Sequence, residues 1–210
     1  MKKYFPVNID LNGKSVVIAG GGKVALRKAK TLLEYGASIS VITGEKIEPE
    51  LEKMALEMKI KITQRNIKPG DLKKAFMVVA ATDDHVTNEY IAKKCIAGGI
   101  IINNASGEGD AIFPAVYKEG DLTVSVSTSG VSPTLALRLR NLIGKLFGGR
   151  YSQILNLMKE YRLKAQNEIT DESKRVLFFK ELNDAVFPEK DLPPKEFEKQ
   201  ALELFKKYAK

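Results

Sequence analysis

Apolar positions in the first hundred residues fall into two alternating rhythms. Short segments at residues 15–19, 38–42, 59–64, 76–81 and 100–103 read as strands, the first of them an apolar run typical of a buried strand. Between them lie stretches with helical spacing. Residues 24–35 put Ala25, Ala29, Leu32 and Leu33 on one stripe, with Gly36 placed to stop the helix. Residues 48–58 form a second helical stretch. Residues 85–97 form another, with Asp83 or Asp84 where an N-cap belongs and Gly98-Gly99 at its end. Strands alternating with helices predict an α/β fold around a parallel sheet.

The rhythm changes after residue 110. Residues 111–118 and 122–128 flank Glu119-Gly120-Asp121 and read as a hairpin. Ser132-Pro133 then supplies an N-cap and a first helical residue, followed by Leu135, Leu139, Leu142, Ile143 and Leu146 at helical spacing and by Gly148-Gly149. From Arg150 onward the pattern is helical and amphipathic, as in Ile154, Leu155, Met158 and Tyr161, with breaks at Pro188 and Pro193-Pro194 before a last helix. The expected organisation is a sheet domain at 1–110, a hairpin-helix segment at 111–149 and a small helical C-terminal domain at 150–210.

Composition narrows the function. The 210 residues are 44% hydrophobic and 29% charged, an ordinary globular balance. One cysteine, Cys95, and one histidine, His85, exclude a disulfide framework and a zinc site of clustered Cys and His, so no metal site is expected. Apolar runs are too short to span a bilayer and the N-terminus has no apolar signal core, which points to a cytoplasmic protein without membrane attachment. The net charge is +8, and the basic surplus lies almost wholly in the first 150 residues. No basic tract interleaved with aromatics accompanies it, so nucleic acid is not expected as a partner. Solvated lysines and a polyanionic small molecule both remain as explanations.

Gly20-Gly21-Gly22-Lys23-Val24-Ala25 fits G-x-G-x-x-A, directly after a strand and opening a helix. Gly20 permits the tight turn, Gly22 lets backbone N–H groups approach a pyrophosphate, and Ala25 permits close helix–strand packing. This context predicts a Rossmann-like dinucleotide-binding domain. At the end of the second strand, where a ribose-binding acid is expected, the chain reads Thr43-Gly44-Glu45. Glu45 reaches the ribose hydroxyls, backbone groups of Gly44 and Glu45 serve instead, or Glu45 is a solvated charge. No arginine stands at that strand end, which favours NAD over NADP. Thr82 and Asp83, at the carboxyl end of the strand at 76–81, face the ligand crevice or merely cap the next helix. His85 is expected to be exposed and Cys95 to be a small core residue.

These motifs together resemble the precorrin-2 dehydrogenase/sirohydrochlorin ferrochelatase family, the N-terminal part of siroheme synthases. The resemblance runs through the glycine turn to Lys28, then Ala81-Thr82-Asp83-Asp84 with Asn88, then Ile112-Phe113-Pro114-Ala115. It continues through Gly120-Asp121-Leu122-Thr123 and Ser127-Thr128-Ser129-Gly130-Val131-Ser132-Pro133 to Arg140, covering residues 4–146. It implies NAD-dependent oxidation of the tetrapyrrole precorrin-2 to sirohydrochlorin by a homodimer whose hairpin and following helix serve dimerisation, and in some members metal insertion. It also implies cofactor contacts at Gly20, Gly22, Lys23, Val24, Ala25, Gly44 and Glu45. Asn103, Arg138 and Arg140 are candidates to hold the substrate, the arginines by pairing with its carboxylates.

One departure falls at the family's catalytic aspartate. Where the family has Asn-Val-x-Asp, this chain reads Asn103-Asn104-Ala105-Ser106. Ser106 is a poor base without an activator. Asp110 is the carboxylate at hand to take the role, unless it is a loop charge. Two alternatives to the dehydrogenase follow: a non-catalytic NAD- and tetrapyrrole-binding protein, and a chelatase only.

Overall fold

A computed structural model describes residues 3–44, 46–186 and 193–209, and the chain divides after Phe113 into two compact units. The first holds β1 (Ser15–Ala19), α1 (Lys23–Glu34), β2 (Ser38–Thr43), α2 (Pro49–Leu56), β3 (Lys61–Gln64), α3 (Pro69–Leu72), β4 (Met77–Ala80), α4 (His85–Ala97) and β5 (Ile101–Asn104). The five strands are parallel, as the alternating pattern predicts, and lie in the order β3-β2-β1-β4-β5. Strands β2 and β3 are added on one side of β1 and β4 and β5 on the other, so the crevice outside the carboxyl ends of β1 and β4 is the place where such a sheet takes a ligand.

Two apolar layers explain the continuous strand runs. Val16, Ile18, Ile39, Val41 and Val79 face one core, shared with Ala25, Ala29 and Leu32 of α1 and Leu51 and Met54 of α2. Val17, Ala19, Ile42, Val78, Ala80 and Ile102 face the other, under Ile91, Ala92 and Cys95 of α4. Cys95 is fully buried, as expected of a small core residue. α1 ends as its sequence predicts, with Gly36 at φ +75° donating its N–H to Leu33 O at 2.9 Å. α3 has no hydrophobic signature. It is a single turn held by Arg65, whose guanidinium donates to both oxygens of Asp71 at 2.7 Å, while Asp71 also accepts from Lys68 N at 2.8 Å. The Arg65 hydrogen bonds, ahead of the Lys68 N–H, hold the Asp71 carboxyl below its ordinary range.

The second unit holds the hairpin β6 (Ala115–Glu119) and β7 (Leu122–Val126), then α5 (Pro133–Phe147), α6 (Tyr151–Glu168), α7 (Glu172–Asp184) and α8 (Pro194–Tyr208). Ser132 caps α5, its hydroxyl accepting from Leu135 N at 3.3 Å, with Pro133 first in the helix. The first hairpin strand starts later than its apolar pattern suggests. The N–H groups of Asp110 and Ala111 are instead spent on Ile102 O, at 2.9 and 3.0 Å, along the edge of β5. Phe178, Leu182 and Phe197, with Ile154 and Ile169, form a separate core among α6, α7 and α8. The break predicted at Pro188 lies outside the described residues. No helix among the described residues is long and apolar enough to cross a membrane.

Candidate active site

The carboxyl ends of β1, β2, β4 and β5 bring most of the sequence-predicted residues of the first unit to one edge. Each glycine after β1 has a different reason to lack a side chain. Gly20 donates its N–H to Ile42 O at 2.9 Å with φ +113°, and a Cβ there would collide with the Ala81 carbonyl. At Gly21 a Cβ would lie 2.9 Å from Thr43 Cγ2 and 3.2 Å from Lys46 O. Gly22 has an ordinary φ of −83°, and a Cβ built on it meets nothing within 4 Å. Neither conformation nor internal packing requires glycine at Gly22, so its bareness serves something that approaches from outside.

That approach leads to the start of α1. Gly22 is its N-cap residue and provides no side-chain cap, and no acid stands in the first turn. The N–H groups of Lys23, Val24 and Ala25 therefore lack an intrahelical partner and sit at the positive end of the helix dipole. Lys23 and Val24 are exposed, while Ala25 is fully buried against the sheet. Open space over Gly22, unspent N–H groups and close helix–strand packing fit a dinucleotide pyrophosphate. Gly44 has a packing reason for its identity, because a Cβ there would run into Asn66 Oδ1. Glu45 lies outside the described residues.

A second cluster joins the loops after β4 and β5. Asn88, in the first turn of α4, is fully buried. Its Oδ1 accepts from Thr82 N at 3.1 Å and lies 2.9 Å from Thr82 Oγ1, and its Nδ2 donates to Thr82 O at 2.9 Å. The same Nδ2 donates to Ser106 Oγ at 2.9 Å. Ser106 in turn donates its N–H and hydroxyl to Asn104 Oδ1, at 3.1 and 3.3 Å. Asp84 caps α4, its carboxylate accepting from Val86 N and Thr87 N at 3.1 Å. The Thr87 hydroxyl is the first cause, and the Val86 N–H the next, of its lowered pKa. Asp83 and His85 are exposed.

Thr82, Asn88, Asn104 and Ser106 thus form one connected group without a carboxylate. Asn103 and Asn104 are more than nine-tenths buried, yet Asn103 Oδ1 and Asn104 Nδ2 have no partner among the described residues. Asn103 Nδ2 donates to Ala111 O at 2.9 Å and so ties the returning loop to β5. Asp110 stands outside this group. Its N–H goes to Ile102, and its charge lies close enough to Cys95 to add to burial, the larger cause, in pushing that thiol up to about 11. Arg138 and Arg140 belong to the second unit, on α5. Arg138 is exposed, and Arg140 is half-buried with Nε lacking a partner among the described residues.

Sequence reasoning gave Asn88 and Asn104 no role in the site. Asn88 carried a usable signal, since it falls on the same stripe as Ile91, Ala92 and Cys95. An amide on an apolar face requires a hydrogen-bonding reason.

The fold and the glycine turn define a Rossmann-type dinucleotide-binding protein. A family model described as putative NAD(P)-binding matches residues 7–115, and one described as sirohaem biosynthesis protein central matches residues 119–146. The precorrin-2 dehydrogenase of Bacillus subtilis (strain 168) is 38% identical over 160 residues, which cover 76% of this chain and 98% of that protein. A siroheme synthase of Ectopseudomonas mendocina is 34% identical over 182 residues, covering 86% of this chain but only 39% of the relative. The solved structure of SirC, precorrin-2 dehydrogenase, superposes with a TM-score of 0.80 at 25% identity, covering 97% of this chain and all of that one. The chain belongs to the precorrin-2 dehydrogenase family and is an oxidoreductase with a nicotinamide-cofactor domain.

Proposed function

We propose that this chain oxidises precorrin-2 to sirohydrochlorin with NAD as the oxidant. The observation that carries the reading is the bare Gly22 at an uncapped helix start, on the same sheet edge as the Thr82–Asn88–Ser106 group. NAD, when bound, accepts the hydride. The protein's own residues do the rest. N–H groups at 23–25 receive the pyrophosphate, and the chain at Gly44 and Glu45 receives the adenosine ribose, at a strand end whose sequence offers no arginine for the extra phosphate of NADP. Thr82, with Asp83 beside it, flanks the nicotinamide end.

Ser106 acts by position. Its hydroxyl proton points at Asn104 Oδ1, an amide acceptor and not a base. The two unspent buried groups, Asn103 Oδ1 and Asn104 Nδ2, are suited to polar atoms of the tetrapyrrole. No hydrogen bond among the described residues joins the exposed Asp110 carboxylate to the Thr82–Asn88–Ser106–Asn104 group. Metal insertion requires removal of pyrrole protons, and the neutral Thr82–Asn88–Ser106–Asn104 group offers no base for that step, so dehydrogenation is the activity proposed.

The working unit is a homodimer. Leu135, Leu139, Leu142 and Leu146 recur along one side of α5 and are 40–66% exposed. An apolar stripe of this kind on a soluble enzyme is suited to a second copy of the chain. The deciding experiment is anaerobic turnover of precorrin-2 generated in situ, followed by NADH formation and sirohydrochlorin absorbance. Product with NAD and little with NADP is expected, and Gly22→Val is expected to abolish NAD binding while leaving the fold intact. No product with either cofactor, or unchanged NAD affinity in the variant, refutes the reading.

A further inference from the structure

Helix α1 carries its charges against its own dipole. Lys23, Arg27, Lys28 and Lys30 fall in its first eight residues, and its one acid, Glu34, is its last. Lys23 in the first turn and Glu34 in the last both oppose the peptide dipoles, and Arg27, Lys28 and Lys30 add positive charge along the helix between them. Such a layout costs stability unless anions are brought to it.

The four cations differ in what answers them. Lys30 pairs with Glu50 of α2 at 2.6 Å. Lys23 stands at the open glycine turn, and Arg27 is exposed. Lys28 is half-buried, with its ammonium 3.8 Å above the centre of the Phe113 ring. No carboxylate among the described residues pairs with it. Burial first, and the neighbouring Arg27 charge second, push its pKa down to about 8. A ring face holds a cation in place without neutralising it.

The position of the ring sets the direction. Residues 110 and 111 bind the carbonyl of Ile102, and Phe113, two residues on, packs into the core shared by α1 and β4. Lys28 therefore leans to the β5 side of α1, whereas Lys30 leans to α2. Helical side chains also lean toward the helix N-terminus, here toward the carboxyl ends of the strands. A dinucleotide pyrophosphate is taken by the backbone at Gly22 and the residues after it. Lys28 lies beyond that turn, five residues after Lys23, so its ammonium is left for a different anion.

We propose that Lys28, steadied on Phe113, receives a carboxylate of the polycarboxylate tetrapyrrole, in a subsite separate from the pyrophosphate turn. The proposal rests on the reading that precorrin-2 is the substrate. Its test uses Lys28→Met, which keeps the stem over the ring, and Lys28→Arg, which keeps the charge. In Lys28→Met the KM for precorrin-2 should rise about tenfold or more, as expected for loss of a charged hydrogen bond. The Kd for NAD should stay within about twofold, and Lys28→Arg should recover most of the loss.

An unchanged precorrin-2 KM in a folded Lys28→Met variant overturns the proposal. So does a matching loss of NAD affinity, which would place Lys28 on the cofactor. Binding of sirohydrochlorin, followed by its absorbance, separates this inference from the reading beneath it. A wild-type chain that does not turn over precorrin-2, yet binds sirohydrochlorin more tightly than Lys28→Met does, sinks the dehydrogenase and keeps the subsite. A wild-type chain that neither turns over nor binds sinks both.

Discussion

Replacing Asn88 by alanine removes an amide that reaches both loops at the sheet edge. The side chain is fully buried and holds Thr82 through its N–H, its carbonyl and its hydroxyl, and Ser106 through its hydroxyl. A net value of roughly 0.5–1.5 kcal/mol per bond puts the loss at about 3 kcal/mol, because the half-exposed Thr82 regains some water contact. For a chain of this size that corresponds to a drop in Tm of about 6–12 °C, read by circular dichroism. Asn88→Asp separates packing from catalysis. Its carboxylate still accepts from Thr82 N, but it cannot donate to Ser106 Oγ and it places a charge where the group is neutral. Turnover should fall in both variants, by about tenfold or more, with the Kd for NAD nearly unchanged. Wild-type turnover in Asn88→Ala, or a stability loss under about 1 kcal/mol, refutes the idea that this amide organises the site.

Three further outcomes follow from other parts of the chain. Leu139→Glu with Leu142→Glu should convert a dimer to a monomer in light scattering, with the circular dichroism spectrum retained; a variant that remains dimeric removes α5 from the interface. Lys28 should give stability a pH dependence, since the unfolded chain holds that proton up to the ordinary 10.5 and the folded chain only to about 8. Between those values the unfolded state binds more protons, so stability rises with pH across the window, while below 8 the penalty is constant. Screening at a half-exposed group limits it to about 1–3 kcal/mol. The advantage of Lys28→Met over wild type in urea denaturation should therefore shrink between pH 7 and pH 10, and a constant difference refutes this. Finally, Asp110→Ala should keep most of the turnover while Ser106→Ala lowers it; the reverse order would return Asp110 to the catalytic role.

The legible part of this sequence is the part whose structure is set by local pattern. Strands covered on both faces must be apolar throughout, so Val16 to Ala19 and Met77 to Ala80 announce themselves. Gly36, Asp84 and Ser132 mark helix ends because capping is chemistry between near neighbours. What stayed hidden depends on residues far apart in the chain. The short α3 exists through Arg65 and Asp71, and the return of residues 110–111 along β5 displaces the start of the hairpin strand. Gly44, proposed from sequence as a backbone contact for the cofactor, is also required by Asn66, which lies on a different loop. Asn88 was visible as a motif residue, but its reach to Ser106 spans 18 positions and no periodicity records it.

The chemistry at the sheet edge is consistent with the missing aspartate. Removing a hydride asks for alignment with the acceptor, and the proton that leaves with it can pass to solvent without a strong base. The Thr82–Asn88–Ser106–Asn104 group is suited to supply alignment, being neutral, internally hydrogen-bonded and tied to two strands whose register is fixed by the sheet. Charge is placed elsewhere, on the cations of α1, where a polycarboxylate ring and a dinucleotide both bring negative groups. On the proposed reading one helix answers both ligands, its backbone N–H groups taking the cofactor and its Lys28 side chain the substrate. An anion at either site relieves the repulsion that the crowded cations impose on the empty protein, so binding of one ligand should raise the fold's stability as well as prepare the other's place.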